Sequence, residues 1–79
     1  MVVYLRSGAT LAPYLKPDTD AHTRRYEVDG TPTLREILTT LGIPSGMVAF
    51  AVVDGAYRRL DYKPRDDELI ALLTPVAGG

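Results

Sequence analysis

The residues best suited to chemistry lie at the end of the sequence, where an apolar segment is followed by Pro-Val-Ala-Gly-Gly at positions 75–79. Glycine has no Cβ, so Gly78 and Gly79 could enter a channel that is too narrow for any side chain. A terminal carboxylate on Gly79 has an expected pKa of about 3.5 and is ionised at neutral pH. Because an ionised carboxylate is a poor electrophile, it would react only after activation as a mixed anhydride such as an acyl-adenylate.

The plain alternative is that Gly78 and Gly79 are a frayed chain end, because termini are often disordered whatever their sequence. The preceding residues favour a tail with a role, since Pro75 restricts the backbone and Val76 and Ala77 are small and apolar. Activation of the carboxylate would require another protein that binds ATP, because the sequence has no glycine-rich phosphate loop. The sequence therefore predicts a protein that is activated in trans and binds no cofactor stably.

Three other groups of polar residues are better explained as solvated surface than as sites. His22 and Asp20 lie close together in the sequence, but no nucleophile accompanies them. The acidic run at 66–68 lacks the alternating ligand spacing of a calcium loop, so no metal site is predicted. The arginine pairs 24–25 and 58–59 would each place one arginine on either face of a strand. With a formal net charge of -1 as well, no nucleic-acid partner is expected.

The composition is that of one globular domain, with 79 residues of which 46% are hydrophobic and 24% charged. We expect this domain to span residues 1–74 and a flexible tail to span 75–79. The sequence has no cysteine, which excludes disulfides, thiolate metal sites and thiol nucleophiles. The apolar stretch at residues 1–5 is too short to be expected to act as a secretory leader, and no window approaches the ~20 apolar residues that cross a membrane. No membrane partner is therefore predicted, and a cytoplasmic location is expected.

One main helix is predicted at about residues 34–41. Thr33 and Glu36 have the spacing of a capping box, in which each side chain accepts a hydrogen bond from the backbone N–H of the other residue. Gly42 follows as a left-handed C-terminal cap, and Pro44 prevents the helix from continuing. Four apolar residues at helical spacing form a stripe that must pack on a sheet: Leu34, Ile37, Leu38 and Leu41.

Five segments have the pattern of β-strands. They are residues 2–6, 22–28, 48–53, 56–60 and 69–73. The first two form a hairpin with a long loop, with Tyr26 and Val28 pointing inward, and Asp54 followed by Gly55 favours a type I′ turn between the third and fourth strands. The order β-β-α-β-β-β predicts an α+β fold, in which one helix packs across a mixed sheet of four to five strands.

The third and fifth predicted strands are apolar on both faces, although a single helix can cover only one face of the sheet. The opposite face must therefore be covered either by the loop at 7–21 or by a partner protein. The loop itself is expected to contain one ordered turn at about 11–15. Tyr4 and whichever of Phe50 and Ala51 points outward are the candidate partner contacts, and we select Phe50.

Four motifs together give the sequence a family resemblance. They are TLREILTTLG at 33–42, VVDG at 52–55, DDELIALLTP at 66–75 and PVAGG at 75–79. On these motifs the chain resembles the ThiS/MoaD family of ubiquitin-like sulfur carriers, over roughly residues 26–79 and the first strand. The resemblance implies a β-grasp fold. It also places Asp66 where the family often has glycine, which implies a left-handed backbone at Asp66.

The resemblance further implies that Gly79 carries sulfur as a thiocarboxylate. Its partners would be an E1-like adenylating enzyme that uses ATP, a sulfur donor such as a cysteine desulfurase or a rhodanese-like protein, and an acceptor enzyme. The acceptor would be the large subunit of molybdopterin synthase or thiazole synthase, and the ending TPVAGG slightly favours the molybdopterin pathway. Since the chain has no thiol, a carbonyl carbon is the one place where it could hold activated sulfur. The residues expected to line the partner's channel are Pro75, Val76, Ala77 and Gly78.

Two other functions use the same sequence features. In one, the chain is a ubiquitin-like modifier whose Gly79 becomes joined to a lysine side chain of a target protein. In the other, it is a binding subunit with an inert tail. In all three cases the chain is a cosubstrate or small subunit and not an enzyme.

Overall fold

The computed structural model describes residues 1–75. Within them, five strands form one mixed sheet with the order β2-β1-β5-β3-β4. The strands are β1 Val2–Arg6, β2 Thr23–Glu27, β3 Phe50–Val53, β4 Ala56–Arg58 and β5 Leu69–Leu73. The helices are α1 Ala12–Leu15 and α2 Leu34–Leu41, and short 3-10 turns span Ala9–Leu11 and Ser45–Met47. β1 and β5 run parallel to each other, whereas β1–β2, β3–β4 and β3–β5 are antiparallel pairs.

The main helix α2 has the predicted bounds and both predicted caps. The Glu36 N–H donates to Thr33 Oγ1 at 3.2 Å, and the Thr33 N–H donates to Glu36 Oε1 at 3.1 Å. This bond from the Thr33 backbone N–H holds the pKa of the Glu36 carboxyl below its ordinary value. At the other end, Gly42 has a φ of 77°, and the Ile43 N–H donates to the Leu38 carbonyl at 2.9 Å. The caps therefore confirm the boundaries that local sequence signals predicted.

The hydrophobic core lies between α2 and one face of the sheet. Val3, Leu5, Ile70, Leu72, Ala51 and Val53 supply the sheet side, and Leu34, Ile37 and Leu38 supply the helix side. Leu41 is half-buried at its margin. The predicted inward orientation of β2 is also confirmed, because Val28 is buried and Tyr26 packs against the core.

The segment between β1 and β2 belongs to this same core. Leu11 and Leu15 have no exposed surface and pack in one cluster with the α2 side chains. The expected turn at 11–15 is confirmed as α1. Because its buried leucines lie on the helix side, the segment does not cover the opposite face of the sheet, and that alternative from the sequence was wrong.

Three strands are shorter than the sequence predicted. β3 begins at Phe50 because Val48 belongs to the preceding turn, where its N–H donates to the Ser45 carbonyl at 3.1 Å. β3 and β4 are joined by Asp54 and Gly55, whose φ values of 51° and 76° fit the predicted type I′ turn. Strand ends are set by these turns and by neighbouring strands. Local β-propensity contains no information about either.

The turn before β5 corrects one expectation. The left-handed residue is Asp67, with a φ of 64°, and Asp66 is not left-handed. Asp66 instead accepts a hydrogen bond from the Val2 N–H on Oδ1 at 2.7 Å, and the Asp67 N–H donates to the Val2 carbonyl at 2.7 Å. The turn is therefore held against the start of β1. No helix among residues 1–75 has the length and apolar character needed to cross a membrane.

Candidate functional site

The strand that leads to the predicted tail occupies the centre of the sheet. β5 is paired with β1 on one side, where Tyr4 lies opposite Leu69, and with β3 on the other side, where Phe50 lies opposite Leu73. After β5, Thr74 is half-buried and Pro75 is exposed. The chain thus reaches Pro75 from a strand that is paired on both sides.

The predicted tail residues Val76, Ala77, Gly78 and Gly79 lie outside the described residues. Their expected roles, including thiocarboxylate formation on Gly79, stay predictions. The proposed boundary between a domain at 1–74 and a tail at 75–79 likewise stays a prediction. Pro75, the last described residue, is exposed where a partner could contact it.

The face of the sheet opposite α2 carries an apolar surface that we call the outer patch. It consists of Tyr4, Phe50, Val52, Tyr57, Leu69, Ala71 and Leu73. Both predicted partner contacts, Tyr4 and Phe50, lie on this patch and are half-buried. Ala51, the alternative to Phe50, is fully buried on the helix side. Since Ala51 faces the helix, its neighbour Phe50 faces outward, which agrees with the selection of Phe50 as the outward-pointing residue.

Sequence reasoning missed three of the most exposed members of the outer patch. Tyr57 is 75% exposed, Leu69 51% and Leu73 36%. The Tyr57 ring meets the Phe50 ring edge to face, with centroids 5.0 Å apart and an interplanar angle of 81°. No sequence signal separates Leu69 and Leu73 from their neighbours, because residues 69–73 are all apolar. The structure makes the distinction by burying Ile70 and Leu72, which leaves the alternate residues on the outer face.

The outer patch has the anatomy of a protein-binding surface. A shallow depression of about 310 Å³ lies within it, lined by Val52, Leu69 and Ala71 together with the β3–β4 turn. Arg25, paired with Tyr4 in the β1–β2 ladder, forms a 3.3 Å ion pair with Glu27 at one border. Contiguous apolar surface with a charged border is typical of interaction sites on small soluble domains.

The His22 and Asp20 pair is structural. Asp20 Oδ1 accepts a hydrogen bond from the His22 backbone N–H at 2.7 Å, and this bond lowers the pKa of the Asp20 carboxyl. The carboxylate therefore stabilises the turn before β2 rather than orienting the imidazole. This interaction is an Asx-type turn.

The acidic turn before β5 is also engaged within the domain. Glu68 accepts hydrogen bonds on Oε1 from the Tyr62 hydroxyl at 2.8 Å and from the Arg65 N–H at 2.7 Å. Burial, followed by the interaction with Glu68, raises the pKa of the Tyr62 hydroxyl. Among residues 1–75, no three potential metal-ligating side chains are grouped together.

The arginine pair of β2 is divided between the two faces of the sheet, as the strand period predicted. Arg24 lies on the helix side, where Nη1 donates to the Leu15 carbonyl at 3.1 Å and the guanidinium lies 5.8 Å from the Tyr26 ring centroid. Arg25 points to the outer face beside Tyr4. The two arginines therefore do not form one basic patch, and Arg24 holds α1 against the sheet.

The fold and this surface can now be compared with known proteins. A family model described as Mut7-C ubiquitin matches residues 1–77. SAMP1 from Haloferax volcanii is 20% identical, with full coverage of both chains and a TM-score of 0.67. A putative molybdopterin converting factor, subunit 1, from Pyrococcus furiosus is 15% identical, with 95% of this chain and 98% of that chain covered and a TM-score of 0.66. No curated protein sequence matches the chain.

At these identities the two solved structures establish the fold, which is the predicted α+β β-grasp. The resemblance to ubiquitin-like ThiS/MoaD proteins is confirmed by the family model together with this fold. With its model matched over nearly the whole sequence, the chain belongs to the Mut7-C ubiquitin family.

Proposed function

We propose that the chain is a sulfur carrier whose Gly79 carboxylate is adenylated by an E1-like partner and then converted to a thiocarboxylate. The adenylate makes the carbonyl carbon electrophilic, and the terminal sulfur of a persulfide on the sulfur donor, a cysteine desulfurase or a rhodanese-like protein, attacks it and displaces AMP. A thiol then cleaves the S–S bond of the resulting acyl disulfide, which releases the thiocarboxylate and leaves the donor cysteine in a disulfide with that thiol. The thiocarboxylate then donates its sulfur to an acceptor enzyme. In this scheme the chain is a protein cosubstrate that performs no catalysis itself.

The observation that carries the proposal is the position of the outer patch relative to the end of β5. Leu69 and Leu73 belong to the patch, and the same strand leads directly to the exposed Pro75. Five residues of any sequence span at most about 17 Å. A partner that docks on the patch would therefore need an adenylation site within about that distance of Pro75.

The pathway is proposed from the ending TPVAGG and from one of the similar folds. That structure is described as a putative molybdopterin converting factor subunit, which favours cofactor biosynthesis with the large subunit of molybdopterin synthase as the acceptor. Thiazole synthase in thiamine synthesis is the second candidate acceptor. Tyr4 and Phe50 are proposed to contact these partners through the outer patch, and residues 75–78 to line their channels.

Intact-mass spectrometry tests the proposal. The full chain is incubated with ATP, a sulfur source and an extract of its host, and the expected product is heavier by the replacement of one oxygen with sulfur. A variant that lacks Gly78 and Gly79 should keep the same urea unfolding midpoint and remain unmodified. An unmodified wild-type chain would support the inert binding subunit, and a Gly79 amide on a lysine of another protein would support the modifier.

A further inference from the structure

The central strand continues beyond its pairing with β1. The last parallel pair is Arg6 with Ala71, whereas the pairing with β3 continues to Leu72 and Leu73. The edge of β5 that faces β3 is therefore paired to the end of the strand, whereas the edge that faces β1 is not. The pairing with β1 stops because the β1 chain turns away at residues 7–8.

Two hydrogen bonds fix the course of the chain after β1. The Ser7 N–H donates to the His22 carbonyl at 3.0 Å, which continues the contact with β2. The Gly8 carbonyl accepts from the Leu11 N–H at 3.3 Å, which turns the chain into the 3-10 segment before α1. What remains is a gap of about 290 Å³ with Ser7, Gly8 and His22 on one wall and Leu72 and Leu73 on the other. We call it the β5 gap.

Backbone groups of β5 point into the β5 gap. The Tyr4 N–H donates to the Glu68 carbonyl at 2.9 Å, so even-numbered residues direct their backbone groups toward β1. Because backbone groups alternate between the two edges of a strand, the Leu72 carbonyl and the Thr74 N–H follow on the same side. Among residues 1–75 neither group takes part in a backbone hydrogen bond outside the strand ladders, and the ladder with β1 ends at the pair Arg6–Ala71. A carbonyl and an N–H at this spacing match the edge of an extended polypeptide.

The opposite wall leaves room for such a segment. A Cβ placed on Gly8 would meet no atom within 4 Å, so the space beside the Gly8 backbone is open. The side chains at the gap carry mixed charge, since Arg6 lies near Asp20 and His22. A ligand would therefore bind in this gap through backbone hydrogen bonds rather than through attraction to charge of one sign.

We infer that an extended segment of the adenylating partner adds to β5 in this gap and pairs with the Leu72 carbonyl and the Thr74 N–H. The inference rests on the proposed function and identifies how the partner would set the position of the tail. A ladder of two residues is too short to hold two copies of this chain together. It suits a partner that is already docked on the outer patch, because the added bonds then fix the register in which the chain after Pro75 enters the partner's site.

The first test removes one of the two groups. Thr74→Pro has no N–H to donate, and the preceding residue already lies in an extended strand, which proline favours. Thr74→Val is the matched control because it keeps the N–H and the branched shape. The assay measures ATP–pyrophosphate exchange. The adenylating enzyme is purified from the host by following the exchange activity that it shows with the wild-type chain. Loss of one hydrogen bond should raise the KM of Thr74→Pro roughly three- to tenfold, whereas Thr74→Val stays within about twofold.

The second test observes the Thr74 amide directly. By NMR hydrogen exchange, this amide should be unprotected in the free chain and protected about tenfold or more when the enzyme is bound. Protection in the free chain would mean that the gap is already filled by the chain's own tail or by a second copy, and would overturn the inference. An unprotected Thr74 in a complex that shifts the Tyr57 signals would also overturn it while leaving the proposed function intact. Absence of any exchange activity with wild-type chain would overturn both.

Discussion

Tyr57→Ala tests whether the outer patch binds the activating partner. The side chain is 75% exposed, so truncation removes about a quarter of the roughly 1.5–3 kcal/mol that full burial of a large apolar side chain contributes. Loss of the edge-to-face contact with Phe50 at 5.0 Å adds about 0.5–1.5 kcal/mol. The free energy of unfolding should therefore fall by roughly 1–2 kcal/mol, and the chain should stay folded.

The exposed fraction of Tyr57 also determines how much Tyr57→Ala should raise the KM for activation. A partner that covers the ring would bury the remaining three quarters of it, which corresponds to roughly 1–2 kcal/mol or about a 5- to 30-fold higher KM in ATP–pyrophosphate exchange. Tyr14→Ala is the matched control, because Tyr14 is also exposed but lies on α1, away from the outer patch. An unchanged KM for folded Tyr57→Ala, or an equal loss in both variants, would refute the assignment of the patch.

Three further predictions concern the framework of the site. Thr33→Ala should lower the free energy of unfolding by about 1 kcal/mol in urea titrations because it removes the N-cap of α2, whereas exposed Thr40→Ala should change it by less than about 0.5 kcal/mol. The folded-state pKa of Glu36 is lowered, so its contribution is present above the unfolded-state pKa and lost as the pH falls through the folded one. The urea-midpoint difference between wild type and Glu36→Gln should therefore shrink between about pH 6 and about pH 3, and a constant difference would contradict this. Leu15→Ala should cost about 2–4 kcal/mol by leaving a cavity in the core, which calorimetry can compare with the small effect of Tyr14→Ala.

The sequence was sufficient wherever the signals were local. The bounds of α2 follow from Thr33, Glu36 and Gly42, each of which satisfies a hydrogen-bonding or backbone requirement within a few residues. The β3–β4 turn follows from Asp54 and Gly55 for the same reason. These elements need no knowledge of the rest of the fold.

The sequence was insufficient wherever distant segments decide the outcome. Leu11 and Leu15 join the core because α1 packs on the helix side, which no periodicity within 7–21 indicates. The left-handed residue is Asp67 rather than Asp66 because both residues bond to Val2, 64 or more positions away.

The central position of β5 has a mechanical consequence. A partner that pulls on the chain beyond Pro75 applies force along β5, and the hydrogen bonds to β1 and β3 lie across that direction. The bonds of both ladders then share the load at once, whereas an edge strand could be peeled away one bond at a time. The domain is therefore expected to resist unfolding when force is applied to it at Pro75.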